Sequence, residues 1–84
     1  MKKLEDVKQL VASCIAEAMY MEVDEIQDDM LFSSFGLEST TLVKILNKVN
    51  EELGFEVNIR EVLPHQNLIG MSQVIYEQVS GEVV

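Results

Sequence analysis

The chain is short of several things, and each shortage excludes something. Cys14 is its one cysteine, so a disulfide framework and a cysteine-rich zinc site are both ruled out. It sits in an apolar helical stripe between Leu10 and Ile15, where a buried, inert thiol is expected. Basic residues are scarce: six Lys and Arg stand against fifteen Asp and Glu, a formal net charge of −9. Nucleic-acid phosphates and anionic lipid head groups would repel such a surface, so neither is expected as a partner. Basic protein surfaces suit it, and long-range attraction would speed the encounter. No apolar run approaches membrane-spanning length, so membrane insertion is not expected. Met1-Lys2-Lys3 leads straight into mixed charged and apolar residues, unlike a signal peptide, and the expected compartment is the cytosol. With one histidine, no Gly-x-Ser-x-Gly elbow and no assembled triad, neither catalytic residues nor a metal site are expected.

What is present is helical periodicity. Eighty-four residues make one small domain, read as spanning 1–84, with little margin of stability. From Lys3 to Met19, the residues Leu4, Val7, Val11, Cys14, Ile15, Ala18 and Met19 recur at helical spacing. Residues 20–38 lose that period and carry five acids between Glu22 and Asp29 with no base. Their apolar members, Ile26, Phe32 and Phe35 above all, imply that this long segment lies across the core and pins it. A short turn of helix is expected near Val23 to Ile26. Met19, Met21, Met30 and Met71 read as core filler.

The next helix is expected from Ser39, with Leu42, Ile45, Leu46, Val49 and Leu53 as its stripe and Gly54 as its stop. Ser39 has the chemistry of an N-cap. Asn58 and Glu61 match a capping box opening a short helix that Pro64 ends. Asn67 is placed to cap a last helix through Leu68, Met71, Val74, Ile75 and Val79, with Gly81 beyond its end. Phe55-Glu56-Val57 alternates, but three residues do not make a sheet. The expected fold is all-α: a small bundle of three main helices and one short one with a long first loop.

One segment carries chemistry. Gly36-Leu37-Glu38-Ser39-Thr40 sets a serine hydroxyl after the long loop and at the start of an amphipathic helix. A phosphate ester there would lie beside unpaired N–H groups and the positive end of the helix dipole. The segment resembles the prosthetic-group site of acyl and peptidyl carrier proteins, which read Gly-x-Asp-Ser followed by a bulky apolar residue. Ile26 and Phe32 match the anchors of that family's long loop, and Asn67-Leu68-Ile69-Gly70-Met71 the entry to its last helix.

The resemblance implies that a phosphopantetheinyl transferase attaches 4'-phosphopantetheine covalently to Ser39, with Glu38 as the motif acid. It further implies a monomer that carries acyl groups as thioesters between acyl-loading and acyl-processing enzymes. Glu38 stands where the family has Asp, one methylene further out, and Thr40 replaces the usual apolar residue. Lys44 and Lys48 follow on the same helix, which holds no acid between Ser39 and Asn50. Thr40, Thr41, Lys44 and Lys48 are therefore the expected partner-binding positions. The pattern points to a specialised carrier, polyketide-like in Arg60-Glu61-Val62-Leu63-Pro64. An aminoacyl or peptidyl carrier, or a helical interaction module with an unmodified serine, are the other readings. The seven carboxylates from Glu17 to Glu38 have no base among them, and their mutual repulsion is expected to make stability depend on salt.

Overall fold

A computed structural model describes residues 3–81. Among them the chain forms helices and no strand. The helices are α1 (Leu4–Met19), α2 (Ser39–Leu53), α3 (Ile59–Val62) and α4 (Leu68–Gly81), and α1 packs against both α2 and α4. The all-α expectation holds, with three long helices and one short.

Each helix buries one stripe. Val7, Val11 and Ile15 of α1 are sealed from solvent at a four-residue interval. Leu42, Ile45, Leu46 and Val49 do the same for α2, and Leu68, Met71 and Ile75 for α4. Ala18 departs from the expected stripe of α1: it is exposed, so the apolar face of that helix runs past the core. Met71 fills the core, and Met19 and Met21 pack at its edge. Met30 does not serve as filler; it is half-buried outside the core cluster. Gly81 belongs to α4 rather than lying beyond it.

The long loop turns back along α1. The Lys8 ammonium meets the Asp28 carboxylate at 2.9 Å, and Ile26 is buried. Two 3-10 turns organise the loop, Val23–Glu25 where one was expected and Phe32–Phe35 where none was. Phe32 is fully buried and meets Phe35 edge-on, with ring centroids 6.1 Å apart. Phe35 itself stays half-buried. Backbone bonds stitch this loop to the entry of α4: Phe32 N–H donates to the Gln66 carbonyl (2.8 Å), and Ile69 N–H to that of Asp28 (2.9 Å).

Caps settle the remaining ends. Asn67 Oδ1 accepts from Gly70 N–H at 2.8 Å, the expected cap of α4. The box at α3 forms by half. Asn58 Oδ1 accepts from Arg60 N–H, but Gln78 of α4 takes both of the other groups. Its Oε1 accepts from Asn58 N–H at 2.6 Å and its Nε2 donates to Glu61 at 3.1 Å. A tertiary partner thus displaced the local one. Gly36, at φ +80°, ends the second 3-10 turn and swings the chain into α2. An added methyl would touch nothing there, so strain alone acts on it. Gly36→Ala should therefore cost about 1–2 kcal/mol, read from urea denaturation; a neutral result would show that the turn relaxes.

Candidate functional site

The site is built by the turn at Gly36 and the first turn of α2. Leu37 is buried and anchors the approach, and its N–H donates to the Phe32 carbonyl at 3.1 Å. Glu38, in extended backbone, occupies the N-cap position, and Ser39 is the first helical residue. Ser39 is therefore not the cap that its chemistry suggested. The pattern fits either frame, and the turn at Gly36 selects this one. The shift matters, because a capping hydroxyl would be engaged with backbone, whereas the Ser39 side chain is exposed and bonds to nothing among the described residues.

Glu38 is exposed as well and makes no side-chain cap bond. The first backbone donor of α2 with a protein acceptor is Leu42 N–H, which reaches the Glu38 carbonyl at 2.9 Å. The N–H groups of Ser39, Thr40 and Thr41 have no acceptor among the described residues. An exposed hydroxyl beside three free donors at a positive helix end fits an anionic phosphodiester. Among the described residues no group of His, Cys, Asp or Glu is arranged to hold a metal ion.

The four expected partner-binding residues divide. Thr40, Lys44 and Lys48 are exposed and Thr41 is half-buried. Nine residues at about 100° each place Lys48 roughly half a turn around α2 from Ser39, so these lysines face the α1 side. Lys48 Nζ meets Glu17 of α1 at 3.2 Å rather than Glu51 or Glu52. That contact, with its hydrogen bond contributing most, raises the Lys48 ammonium above its ordinary value. Lys44 makes no ion pair among the described residues. The expectation of acids without a base needs the same correction. Asp28 and Glu17 have lysine partners supplied by other helices, which leaves five of the seven without one among the described residues. The expected salt dependence is correspondingly smaller.

Between α1 and α2 lies a half-open cleft of about 330 Å³. Cys14, Ala18 and Ile45 give it apolar walls; Thr41, Lys44 and the Lys48–Glu17 pair rim it. Sequence reading missed it, since two helices must pair before it exists; the one local signal was Ala18, near the end of the α1 stripe. Cys14 is buried as expected, and burial pushes its thiol up from the ordinary value. The thiolate is the reactive form, so folding suppresses it. Iodoacetamide at pH 8 should modify native Cys14 at least about tenfold more slowly than urea-unfolded protein. Equal rates would mean that the thiol is open to solvent.

The comparisons with known proteins agree with this geometry. Residues 9–75 match the family described as "Phosphopantetheine attachment site". The acyl carrier protein TtuC of Teredinibacter turnerae is 30% identical over 71 residues, which span 84% of this chain and 82% of that protein. The chain belongs to the acyl carrier protein family. The carrier is also 25% identical over 69 residues to highly reducing polyketide synthase 2 of Gibberella zeae, across 82% of this chain but 3% of that synthase. Its fold is shared with the HMG-ACPI domain from the CurA module of Lyngbya majuscula, solved by NMR. The TM-score is 0.81 at 26% identity, covering 98% of this chain and 83% of that one. The family's prosthetic group is 4'-phosphopantetheine, and domains of this kind carry rather than catalyse. No helix among the described residues is long and apolar enough to cross a membrane.

Proposed function

We propose that Ser39 is the attachment residue and that the carrier shuttles acyl groups for a polyketide or related specialised pathway. The observation that carries this reading is the free Ser39 hydroxyl beside three unpaired N–H groups, within a chain of the phosphopantetheine family. The arm supplies a terminal thiol on which an acyl group is held as a thioester. The chain's own contribution is placement. Ser39 supplies the ester oxygen from an exposed position, and the N–H groups of Ser39, Thr40 and Thr41 favour the phosphate's charge. The acyl reading is preferred to aminoacyl or peptidyl cargo because the named relatives are an acyl carrier protein and a polyketide synthase.

Partners are then a phosphopantetheinyl transferase and the acyl-loading and acyl-processing enzymes, acting on a monomer in the cytosol. They reach Ser39 past Thr40, Thr41, Lys44 and Lys48. Intact mass after co-expression with a transferase tests the reading. A gain of one phosphopantetheine is expected, and an unchanged mass would leave a helical interaction module.

Glu38 would act as the motif acid during transfer. Exposed and without a capping bond, it supports the fold only through the helix dipole. Glu38→Ala should thus cost no more than about 1 kcal/mol in stability while slowing arm transfer much further. Equal transfer rates for mutant and parent would confine Glu38 to its structural part.

A further inference from the structure

A partner that works on Ser39 must cover the start of α2. A standard interface buries about 800 Å² per partner, a patch reaching roughly 16 Å from its centre. Lys44 lies about 7.5 Å along the axis from Ser39 and roughly 140° around it, so such a patch includes it where the partner wraps the helix towards α1. Interfaces depend on an apolar anchor in a pocket at their centre. The fully exposed positions of α2 offer none, since Thr40, Lys44, Asn47 and Lys48 are all polar, and Val43, the apolar residue nearest them, is half-buried and forms no pocket with them. An apolar pocket within reach is the α1–α2 cleft, walled by Cys14, Ala18 and Ile45. Ala18 gives the clearest reason to think it is meant for covering: it belongs to the apolar stripe of α1, yet stands exposed while its neighbour Met19 packs against the core.

Charge indicates what covers it. The carrier is strongly acidic overall, but this rim holds two lysines against one acid. Lys48 is held by Glu17 and closes one side. Lys44 lines the cleft, exposed and without an ion pair among the described residues. We propose that the α1–α2 cleft is a docking pocket for a partner protein that inserts one aliphatic side chain between α1 and α2 and places a carboxylate against Lys44. This rests on Ser39 being the point that partners must reach. The docking surface then wraps from the start of α2 onto α1. A partner lacking that carboxylate, or offering a base in its place, meets Lys44 unfavourably, so the pocket sorts partners as well as binding them.

The test uses a short alanine-based helical peptide bearing one Leu and one Glu four residues apart. It is titrated into the full chain, with amide NMR shifts as the readout. Saturable shifts are expected at Cys14, Ala18, Thr41 and Ile45. Exchanging the peptide's Glu for Gln, or Lys44→Glu in the carrier, should weaken binding about two- to fivefold, the scale of one exposed ion pair lost. Exchanging the peptide's Leu for Ala, or Ala18→Leu in the carrier, should remove the shifts. Far-UV circular dichroism is read for both carrier variants, and an unchanged helical signal is expected in each, with peptide binding weakened in Lys44→Glu and lost in Ala18→Leu. Intact mass after co-expression with a transferase is read for the parent carrier.

Shifts centred on the exposed Leu31, or binding indifferent to both charge changes, would overturn the proposal. So would shifts at Cys14 and Ala18 in acyl-loaded carrier without peptide, because the carrier's own cargo would then fill the cleft. Failure of Ser39 to accept the arm appears in the mass alone, so the two ideas fail separately.

Discussion

Replacement of Ser39 by alanine is expected to abolish attachment of phosphopantetheine while leaving the fold intact. The Ser39 hydroxyl is exposed and bonds to nothing among the described residues, so its removal breaks no contact. Alanine also suits the first turn of a helix, and the stability change should stay within about 0.5 kcal/mol. The other hydroxyls lack the setting. Ser34 Oγ donates to the Leu31 carbonyl at 2.6 Å, and Ser72 is buried with its hydroxyl unpartnered. Ser13 stands mid-helix on α1, and Ser33 lies in the turn before Gly36. Thr40 is the one exposed hydroxyl adjacent to the site, and it serves as an internal control. Intact mass after co-expression with a transferase, paired with far-UV circular dichroism, reads both halves. Arm attachment persisting in Ser39→Ala would move the assignment to a neighbour such as Thr40.

Where sequence reading succeeded and failed follows from the range of the forces involved. Helical period is a local property, so Val7, Val11 and Ile15, or Leu42, Ile45 and Val49, announced their stripes before any packing was known. The serine was legible for a related reason: glycine, acid, serine and an apolar stripe lie within one short stretch. Contacts that close at a distance were not. Lys48 and Glu17 are separated by 31 residues, and nothing in their spacing links them. The same holds for Lys8 with Asp28, and for Gln78, whose side chain takes the donor and acceptor that a local capping box would have joined. Tyr20 is a quieter case. It ends α1 in the left-handed region at φ 55°, where glycine is usual, with its ring almost wholly exposed. The residues show the strain but give no physical reason for the tyrosine. Ser39 itself shows how fine the limit is: a shift of one residue separates an engaged cap from a free hydroxyl.

The largest effect on stability is expected from Phe32→Ala. Phe32 is fully buried, and its ring meets Phe35 edge-on. Truncating such a ring costs about 3–5 kcal/mol in lost burial and residual cavity. A chain of this size has about twice that in total, since stability scales at roughly 0.05–0.15 kcal/mol per residue. The loss is concentrated where it matters for the site. The Phe32 carbonyl accepts from Leu37 N–H, and its N–H holds the Gln66 carbonyl before α4. The ring thus fixes the turn that delivers the chain into α2 and presents Ser39. Urea denaturation should show the midpoint falling with little change in slope. Phe32→Leu, which keeps an apolar group of smaller volume, should lose clearly less. Arm transfer to the alanine variant should track the folded fraction, recovering wherever a stabilising osmolyte restores the helical signal. A cost below about 1 kcal/mol would mean that the loop is not pinned at Phe32. Transfer lost while the fold remained intact would instead show that the ring shapes the Ser39 turn directly.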